Sequence, residues 1–336
     1  MQLKRLLIFD GSYMLHRGLK QQHLFDLRNS KLERTGGIYS FLNMFQKEIR
    51  LNENYFPIVC WDDGLSDRRL SAYDNYKQHK DKLNDPSIKP FYQMTDDELD
   101  EDYVYNYKLQ RKKLIEILNL FGIPSLLFKK TEGDDLMYWL SKHCEKSKVI
   151  TDDRDLLQLL SENCKVRQPM KNTSVELHSF LHEHNFSTIH DFIRTKALCG
   201  DDSDNIPGAC FRVGEKTAKE FFELYDLLKK HDCVDIISDE NKLKEFCKNN
   251  NLKFKKAYKN FNENQFLINM ELIDLNRIQD FEINENAIYE AIRKVYKNKN
   301  VNDVLALLNR YEIKTINTNI IFEALALTRH NIKDAV

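Results

Sequence analysis

The sequence predicts an α/β fold with a mostly parallel central sheet and flanking helices. Short apolar runs typical of buried strands alternate with helical stripes over the first half of the chain, which is the pattern of a parallel sheet. After about residue 187 the strand-like runs fade and helices dominate. We therefore expect an α/β domain at 1–186, with an insertion at about 64–108, and a helical domain at 187–336.

Four strands are expected at 6–9, 58–61, 125–128 and 148–150, each a short and mainly apolar run. Apolar stripes with i, i+3, i+4, i+7 spacing predict one helix that ends before Gly122 and another at 136–143. Further helices are expected at 217–228, 286–296 and 301–308. In a parallel sheet the carboxyl ends of the strands share one edge, where ligands bind.

The insertion is polar and contains Pro86, Pro90 and two acidic runs at 96–98 and 100–102. Long insertions of this kind are surface loops or lids. Two interpretations stay open here, an exposed solvated loop and a partly helical cap over the expected ligand-binding edge.

The bulk composition indicates a soluble cytoplasmic protein. The 336 residues contain 51 Lys and Arg against 52 Asp and Glu, so a net charge of −1 indicates no polyanion partner by itself. Seven cysteines without a CxxC pair, and no secretory signal at the start, indicate reduced thiols. The longest apolar runs fall short of the ~20 residues that a membrane span needs.

Acidic residues collect where the expected strands end and helices begin. They are Asp10, Asp62 and Asp63, Glu132, Asp134 and Asp135, Asp153 and Asp155, and the later group Asp201, Asp202 and Asp204. Taken singly, each is more typical of a turn or a helix cap. Together they would repel one another unless cations joined them, and hard oxygen ligands favour magnesium and phosphate-ester chemistry. The pattern predicts a cation site.

Basic residues follow Asp62 at spacings that a helix would bring broadly to one side. They are Arg69, Lys77 and Lys80, with Tyr76 on the same side. An exposed basic helix face is the common explanation. The alternative is a set of cations opposite the acids, which would hold a phosphate and stabilise charge in its transition state, beside a tyrosine ring on which an unpaired base could stack.

A turn is expected at Gly214, directly before a helix that starts with Glu215, Lys216 and Thr217. Backbone amides at a helix N-terminus bind phosphate without reading base sequence. A glycine before a helix is a weak signal alone, and its place shortly after an acidic group strengthens it.

At these residues the chain resembles the 5′ nuclease family. That family includes flap endonucleases, the 5′-nuclease domain of bacterial DNA polymerase I and the free-standing 5′→3′ exonucleases of tailed phages. The similar stretches span roughly residues 5 to 225 and lie at 8–12 with Arg17, at 61–62 with Arg69, Tyr76 and Lys77, at 132–135, at 151–159 and at 197–208. No polymerase follows residue 336, so the resemblance is closest to the stand-alone phage-type enzymes.

The resemblance implies two Mg²⁺ ions, replaceable by Mn²⁺, with ligands Asp10, Asp62, Glu132, Asp134, Asp135, Asp153, Asp155, Asp201 and Asp204. Among these, it gives catalytic roles to Asp10, Asp62 and Asp155, together with Lys77 and Lys80. It implies nucleic-acid contacts by Arg17, Arg69, Tyr76, Lys77, Lys80, Lys196, Gly208, Gly214, Lys216 and Thr217. Residues 81–108 would form a helical arch beside the single-stranded 5′ end, and about 198–228 a helix-hairpin-helix-like grip on duplex.

The sequence departs from the pattern of that family in three places. Asp152 stands where a glycine is usual, which adds one acid to a crowded site. Lys80 stands where an arginine is usual, so the charge is kept and the planar fork is lost. Phe211 and Arg212 occupy the region of the first hairpin glycine, in a segment one residue longer.

The expected function is a structure-specific 5′ nuclease, a magnesium-dependent 5′→3′ exonuclease and flap endonuclease acting on DNA or RNA–DNA hybrids in primer removal, with possible RNase H activity. No histidine lies in the similar stretches, so metal-bound hydroxide is the expected nucleophile. The expected partners are DNA with 5′ flaps, nicks or RNA primers and, by family analogy, a single-stranded-DNA-binding protein or a polymerase. We expect a monomer, in the host cytoplasm if the chain is phage-encoded.

Two other classes stay open. A junction-binding scaffold that has lost cleavage would gain nothing from so many repelling acids. A phosphatase with an aspartyl nucleophile would resemble Asp-x-Asp after the first strand, where this chain has Ser12 in the second position.

Overall fold

The computed structural model describes residues 3–77, 96–278, 283–296 and 300–332, and for 96–101 the backbone only. Its strands are β1 (Leu3–Asp10), β2 (Phe56–Cys60), β3 (Ser125–Leu126), β4 (Cys144–Ile150), β5 (Cys164–Gln168) and β6 (Thr173–Val175). Its α-helices are α1 (Gly11–Leu19), α2 (Gln22–Phe25), α3 (Gly36–Leu51), α4 (Asp67–Ala72), α5 (Asp96–Phe121), α6 (Gly133–Lys142), α7 (Leu177–His184), α8 (Ile189–Cys199), α9 (Glu215–Lys230), α10 (Glu240–Asn249), α11 (Glu263–Ile273), α12 (Glu285–Tyr296), α13 (Val301–Arg310) and α14 (Thr318–Thr328). In these ranges every helix is too short or too polar to traverse a lipid bilayer.

The strands form one six-stranded sheet in the order β3-β2-β1-β4-β5-β6, and only the β5–β6 pair is antiparallel. The expected α/β fold and mostly parallel sheet are therefore confirmed, and the four expected strands overlap β1 to β4. Apolar runs did not predict β5 and β6. The reason in β5 is that Lys165 and Arg167 flank Val166, so no continuous apolar run marks this strand.

The register of the sheet places the ends of three central strands side by side. Asp10 pairs with Cys60 across β1 and β2, and Phe9 pairs with Ile150 across β1 and β4. Residues 6–9 are fully buried, and the Phe9 ring lies 4.5 Å from that of Phe45 in α3. Whatever follows Phe9, Cys60 and Ile150 therefore shares one edge of the sheet.

Residues 96–108 of the insertion are helical. The acidic runs lie in the first two turns of α5, and α5 ends as expected before Gly122, whose φ of +84° suits the left-handed turn after a helix. Asp102 is buried and forms an ion pair with Arg34. The partly helical interpretation is thus correct from residue 96 onward, and 78–95 lie outside the described residues.

The chain divides into two compact units. Unit 1 comprises Met1–Ser66, Lys82–Phe180 and Ile278–Val336, and unit 2 comprises Asp67–Asp81 and Leu181–Arg277. The expected division at residue 186 assigned 278–336 to the helical domain, whereas these residues belong to unit 1 with the sheet. In unit 1, α14 contacts α3 and β2.

Unit 2 is built on α8, α9 and α11 around an aromatic core. The rings in mutual contact are Phe221, Tyr225, Tyr258, Phe261 and Phe266. The α8–α9 connection begins at Gly200, where φ is +78° and an added Cβ would lie 2.5 Å from the Gly208 nitrogen. Asn269 donates to the carbonyls of Ala197 and Pro207 at 2.7 Å each, which fixes both ends of this turn.

A buried ion pair ties β5 to α3 in unit 1. Arg167 Nε donates to Glu48 Oε2 at 3.1 Å, and Arg167 Nη2 donates to Asn172 Oδ1 at 2.6 Å. The Glu48 side chain is completely buried. Without Arg167, its carboxylate would be left without its ion-pair partner in the interior.

Replacing Arg167 should therefore destabilise unit 1 strongly. We expect Arg167→Met to lower the free energy of unfolding by about 3–5 kcal/mol, because one partner of a buried pair is removed. Lys165→Met is the matched control, since Lys165 lies on the same strand but pairs with Glu176 at the surface, where the loss should stay below about 1 kcal/mol. Urea unfolding followed by tryptophan fluorescence measures this, because both tryptophans, Trp61 and Trp139, lie in unit 1. Equal losses in the two variants would contradict the interpretation.

Candidate active site

Asp10 is the last residue of β1, and its side chain is buried. Its carboxylate accepts hydrogen bonds from the Tyr13 amide and from the Thr151 hydroxyl, each at 2.9 Å. Burial raises the pKa of Asp10 to about 8, and the charges of Asp62 and Asp153 contribute to the rise, against the effect of the two hydrogen bonds. Asp62 and Asp153 therefore lie close enough to Asp10 to interact with it electrostatically.

Asp62 is held by backbone and side-chain contacts just after β2. Its Oδ1 accepts from the Gly133 amide at 2.6 Å, and its own amide donates to Ser12 Oγ at 3.0 Å. An added Cβ at Gly133 would lie 3.2 Å from Asp62 Oδ1, so a side chain there would crowd the carboxylate.

Helix α5 also contacts Ser12 and the loop after β2 that carries Asp62. Tyr107 donates to Ser12 Oγ at 3.0 Å, and Arg111 donates to the Asp62 carbonyl and forms an ion pair with Asp63 at 3.2 Å. Sequence analysis missed Tyr107 and Arg111. Their only signal is a spacing of four on a helix, which is also that of any surface pair.

Three further acids lie at the start of α6. Glu132 is its N-cap residue and is buried, as is Asp135, and the Glu132 side chain accepts from the Ser66 amide at 3.4 Å. Cys60 lies within the field of this group. Burial raises the pKa of its thiol well above the ordinary value, and Asp10, Asp62 and Asp134 raise it further.

The loop after β4 carries Asp153 and Asp155. The Asp153 amide donates to Thr151 Oγ1 at 3.0 Å, and the Asp155 amide donates to Asp153 Oδ1 at 2.8 Å. Asp153 is exposed, and Asp155 starts a short 3₁₀ helix. In unit 1 the structure thus gathers predicted acids at the ends of β1, β2 and β4 and at the start of α6.

The remaining predicted metal ligands, Asp201 and Asp204, belong to unit 2, and each has a lysine partner there. Lys196 Nζ lies 3.4 Å from Asp201, and Lys77 Nζ lies 3.6 Å from Asp204. Although burial acts to raise it, hydrogen bonds from Ser203 and the charge of Lys196 hold the pKa of Asp201 below its ordinary value.

The expected row of cations after Asp62 does not form a continuous helix. Helix α4 ends at Ala72, and Tyr76 and Lys77 follow in a turn, with Lys77 at a φ of +52°. Arg69 is 3% exposed and donates to the Leu272 carbonyl at 3.0 Å, and Tyr76 is 3% exposed. In this conformation neither side chain is open to a phosphate or a base. Lys80 lies outside the described residues.

The predicted turn before α9 is present in unit 2. Gly214 is the N-cap residue, and no side chain caps the helix. The Thr217 hydroxyl and amide both bond the Gly214 carbonyl. Gly208 lies earlier in the turn, where an added Cβ would be 2.6 Å from the Cys199 carbonyl oxygen. Phe211, a departure from the family pattern, is 67% exposed between them.

The donor chemistry of unit 1 fits a hard divalent cation. All of its predicted ligands are carboxylates, and burial leaves Asp10 beside like charges that a cation would offset. In the described residues no three His, Cys, Asp or Glu side chains already converge as a metal-binding group. The fit therefore rests on donor type and unbalanced charge, and not on a preformed coordination geometry.

Known proteins with similar sequences include an exonuclease and a DNA polymerase I. A 5′-3′ exonuclease of Aquifex aeolicus is 29% identical over 320 residues, which cover 94% of each chain. DNA polymerase I of Bacillus subtilis is 30% identical over 250 residues, or 72% of this chain but only 26% of the polymerase. This chain thus spans about a quarter of that polymerase.

A solved structure shares the fold. The bacteriophage T5 D15 flap endonuclease, in a complex with DNA and metal ions, superimposes with a TM-score of 0.56 at 22% identity, covering 92% of this chain and 100% of that chain. The family model for the N-terminal, resolvase-like domain of 5′-3′ exonucleases matches residues 5–186. Because that match covers more than half of the 336 residues, the chain belongs to the 5′-3′ exonuclease family and is a nuclease, an enzyme that hydrolyses phosphodiesters.

Proposed function

We propose that this nuclease is structure-specific and cuts at 5′ ends and at single-strand/duplex junctions, as a 5′→3′ exonuclease and a flap endonuclease. The carboxylate group at the ends of β1, β2 and β4 carries the proposal, since Asp10 is buried within the field of Asp62 and Asp153. A protein that only bound junctions would have no use for this repulsion. Membership of the exonuclease family and the flap endonuclease fold support it.

Divalent cations, Mg²⁺ or Mn²⁺, would be held by the carboxylates of unit 1. By family resemblance, Asp201 and Asp204 are also proposed as metal ligands. When bound, they would activate a water and stabilise the leaving oxygen of the phosphodiester. The chain's own contribution is orientation. Tyr13 and Thr151 fix the Asp10 carboxylate, and Ser12 and Gly133 fix Asp62.

Nucleic acid would be bound through phosphates. The turn at Gly214, with Lys216 and Thr217, offers the duplex backbone a helix N-terminus that no side chain caps, together with the positive charge of Lys216. Lys77 and Lys196 would stabilise charge near their acidic partners, and Lys80 keeps its predicted catalytic role. RNA primers and DNA flaps are both proposed substrates, and RNase H activity is proposed with them. The proposed role is primer removal by a monomer in the cytoplasm. A polymerase or a single-stranded-DNA-binding protein is the proposed protein partner.

Loss of one carboxylate should separate cleavage from binding. We expect Asp155→Asn to abolish magnesium-dependent cleavage of a 5′-flap substrate while binding to the junction changes little, because the ligand is lost but the phosphate contacts remain. Glu162→Gln is the control, since Glu162 is an exposed acid of unit 1 that forms an ion pair with His178 at the surface. Running DNA-ended and RNA-ended flaps in parallel gives the substrate preference. Cleavage by Asp155→Asn at the wild-type rate would refute the assignment.

The buried carboxylate should make metal-free stability depend on pH. A carboxyl whose pKa rises from 3.8 to about 8 keeps its proton in the folded state after the unfolded state has lost it. The free energy of unfolding should therefore fall as pH rises from about 4 to 8. Asp10→Asn should flatten this dependence in chelator-treated protein.

Magnesium should reverse the loss at pH 8 in the wild type, because an ion that binds only the folded state stabilises it, by about 2.7 kcal/mol at a hundred times its Kd. Asp10→Asn should gain much less. The free energy of unfolding is measured against pH by tryptophan-monitored urea unfolding. Identical pH profiles for the two proteins would show that the pKa of Asp10 is not raised in the folded state.

The duplex contact of α9 should appear in the salt dependence of binding. We expect Lys216→Ala to weaken duplex binding and to reduce the slope of log K against log salt by about 1, as for the loss of one phosphate contact. Lys230→Ala at the opposite end of α9 is the control. Fluorescence anisotropy across a potassium chloride series measures both, and an unchanged slope for Lys216→Ala would place the duplex elsewhere.

A further inference from the structure

Asp152 is the acid that departs from the family pattern, and its carboxylate is held by hydrogen bonds from other parts of unit 1. Its Oδ2 accepts hydrogen bonds from the Tyr13 hydroxyl and, at 3.1 Å, from the Met170 amide in the turn after β5. Its Oδ1 lies 3.3 Å from the same amide. The side chain is 11% exposed. Asp152 therefore joins the loop after β4 to α1 and to the β5–β6 turn.

Tyr13 links Asp152 to the metal-ligand candidate Asp10 and to Arg17. Its backbone amide donates to Asp10 Oδ1, and its side-chain oxygen accepts from Arg17 Nη1 at 3.1 Å. A tyrosine is protonated at neutral pH, so its single proton is committed to Asp152 and a lone pair remains for Arg17. The four-residue spacing places Tyr13 and Arg17 on successive turns of one helix face.

Arg17 is held at one end and open at the other. Nη1 donates to Tyr13 and lies 3.8 Å from Asp152 Oδ2, beyond hydrogen-bond distance. Its side chain is 30% exposed, and within the described residues Nε and Nη2 make no hydrogen bond. A guanidinium carries five N–H donors in a planar fork that matches a phosphate. The unused side of this fork can bind two phosphate oxygens.

We propose that Asp152 is a positioning residue for the nuclease reaction: through Tyr13 it fixes the Arg17 guanidinium so that the remaining N–H donors bind a substrate phosphate beside Asp10. This inference rests on the proposed nuclease function. Ordering a long side chain before the substrate arrives lowers the entropy cost of binding. The glycine usual in the family at this position provides no such contact.

Repulsion between the Asp152 carboxylate and the substrate phosphate predicts the opposite change in affinity, so the two explanations can be distinguished by experiment. If the Asp152 carboxylate acted mainly by repelling phosphate, both Asp152→Ala and Asp152→Asn would tighten binding. Positioning predicts that Asp152→Ala weakens binding, while Asp152→Asn retains most of it, because the amide oxygen still accepts the Tyr13 hydroxyl.

The deciding experiment is a double-mutant cycle of Asp152→Ala and Arg17→Ala. The dissociation constant is measured by anisotropy on a 5′-phosphorylated flap DNA in chelator, and KM and kcat are measured with Mg²⁺. We expect each single variant to raise Kd and KM about tenfold, the equivalent of one charge-assisted hydrogen bond, with the loss in KM rather than in kcat. The double variant should match Arg17→Ala alone. Glu176→Ala removes one exposed carboxylate of unit 1 and is the control for net charge.

Additive losses in the cycle, or tighter binding by Asp152→Asn, would overturn the inference. If Asp152→Ala fails to fold, by tryptophan-monitored unfolding, Tyr13→Phe replaces it in the cycle, because the variant keeps the ring and loses only the linking hydroxyl. A wild type that binds the flap without cleaving it overturns the proposed function alone, since the binding cycle still decides the role of Asp152. A wild type that does not bind the flap overturns both.

Discussion

The repulsion among carboxylates at the end of a parallel sheet is the constraint around which unit 1 is organised. Parallel pairing of β1 with β2 and β4 brings the residues after each strand to one edge. Asp10 is the most affected, because burial raises its pKa and Asp62 and Asp153 raise it further. The hydrogen bonds from Tyr13 and Thr151 offset only part of this. Such a local conflict with stability is typical of functional sites, and a cation bound there would offset it.

The position of the candidate acids depends on hydrogen bonds from the polar side chains around them. Ser12 accepts hydrogen bonds from the Asp62 amide and the Tyr107 hydroxyl, so one side chain connects α1, the loop after β2 and α5. Arg111 adds a second connection from α5 to the same loop. The helical part of the insertion is therefore joined to the position of Asp62, and movement of α5 would be transmitted to a proposed metal ligand through two contacts.

Sequence predicted the fold and the acidic edge because both depend on local patterns. Apolar runs mark β1 to β4, and the residue after each run is read directly from the chain. Long-range polar contacts leave no such pattern. Strand β5 was missed because Arg167, a charged residue, is buried against Glu48. Arg69 was predicted to contact nucleic acid, because nothing near it in the sequence indicates its hydrogen bond to the Leu272 carbonyl. Asp152 counted as one more acid until its partners Tyr13 and Met170 were known.

The interleaving of the two units has a consequence for how the chain acquires its structure during synthesis. A ribosome releases the chain from its first residue onward, and domains generally fold as units as they emerge. In chain order, the segment Leu181–Arg277 of unit 2 comes between the second and third segments of unit 1, and α14 of the third segment packs on α3 and β2. The sheet that carries the acids therefore stays without part of its covering helices until residues 278–332 have emerged. A nascent chain would accordingly complete the packing of this sheet late, after unit 2 has been synthesised.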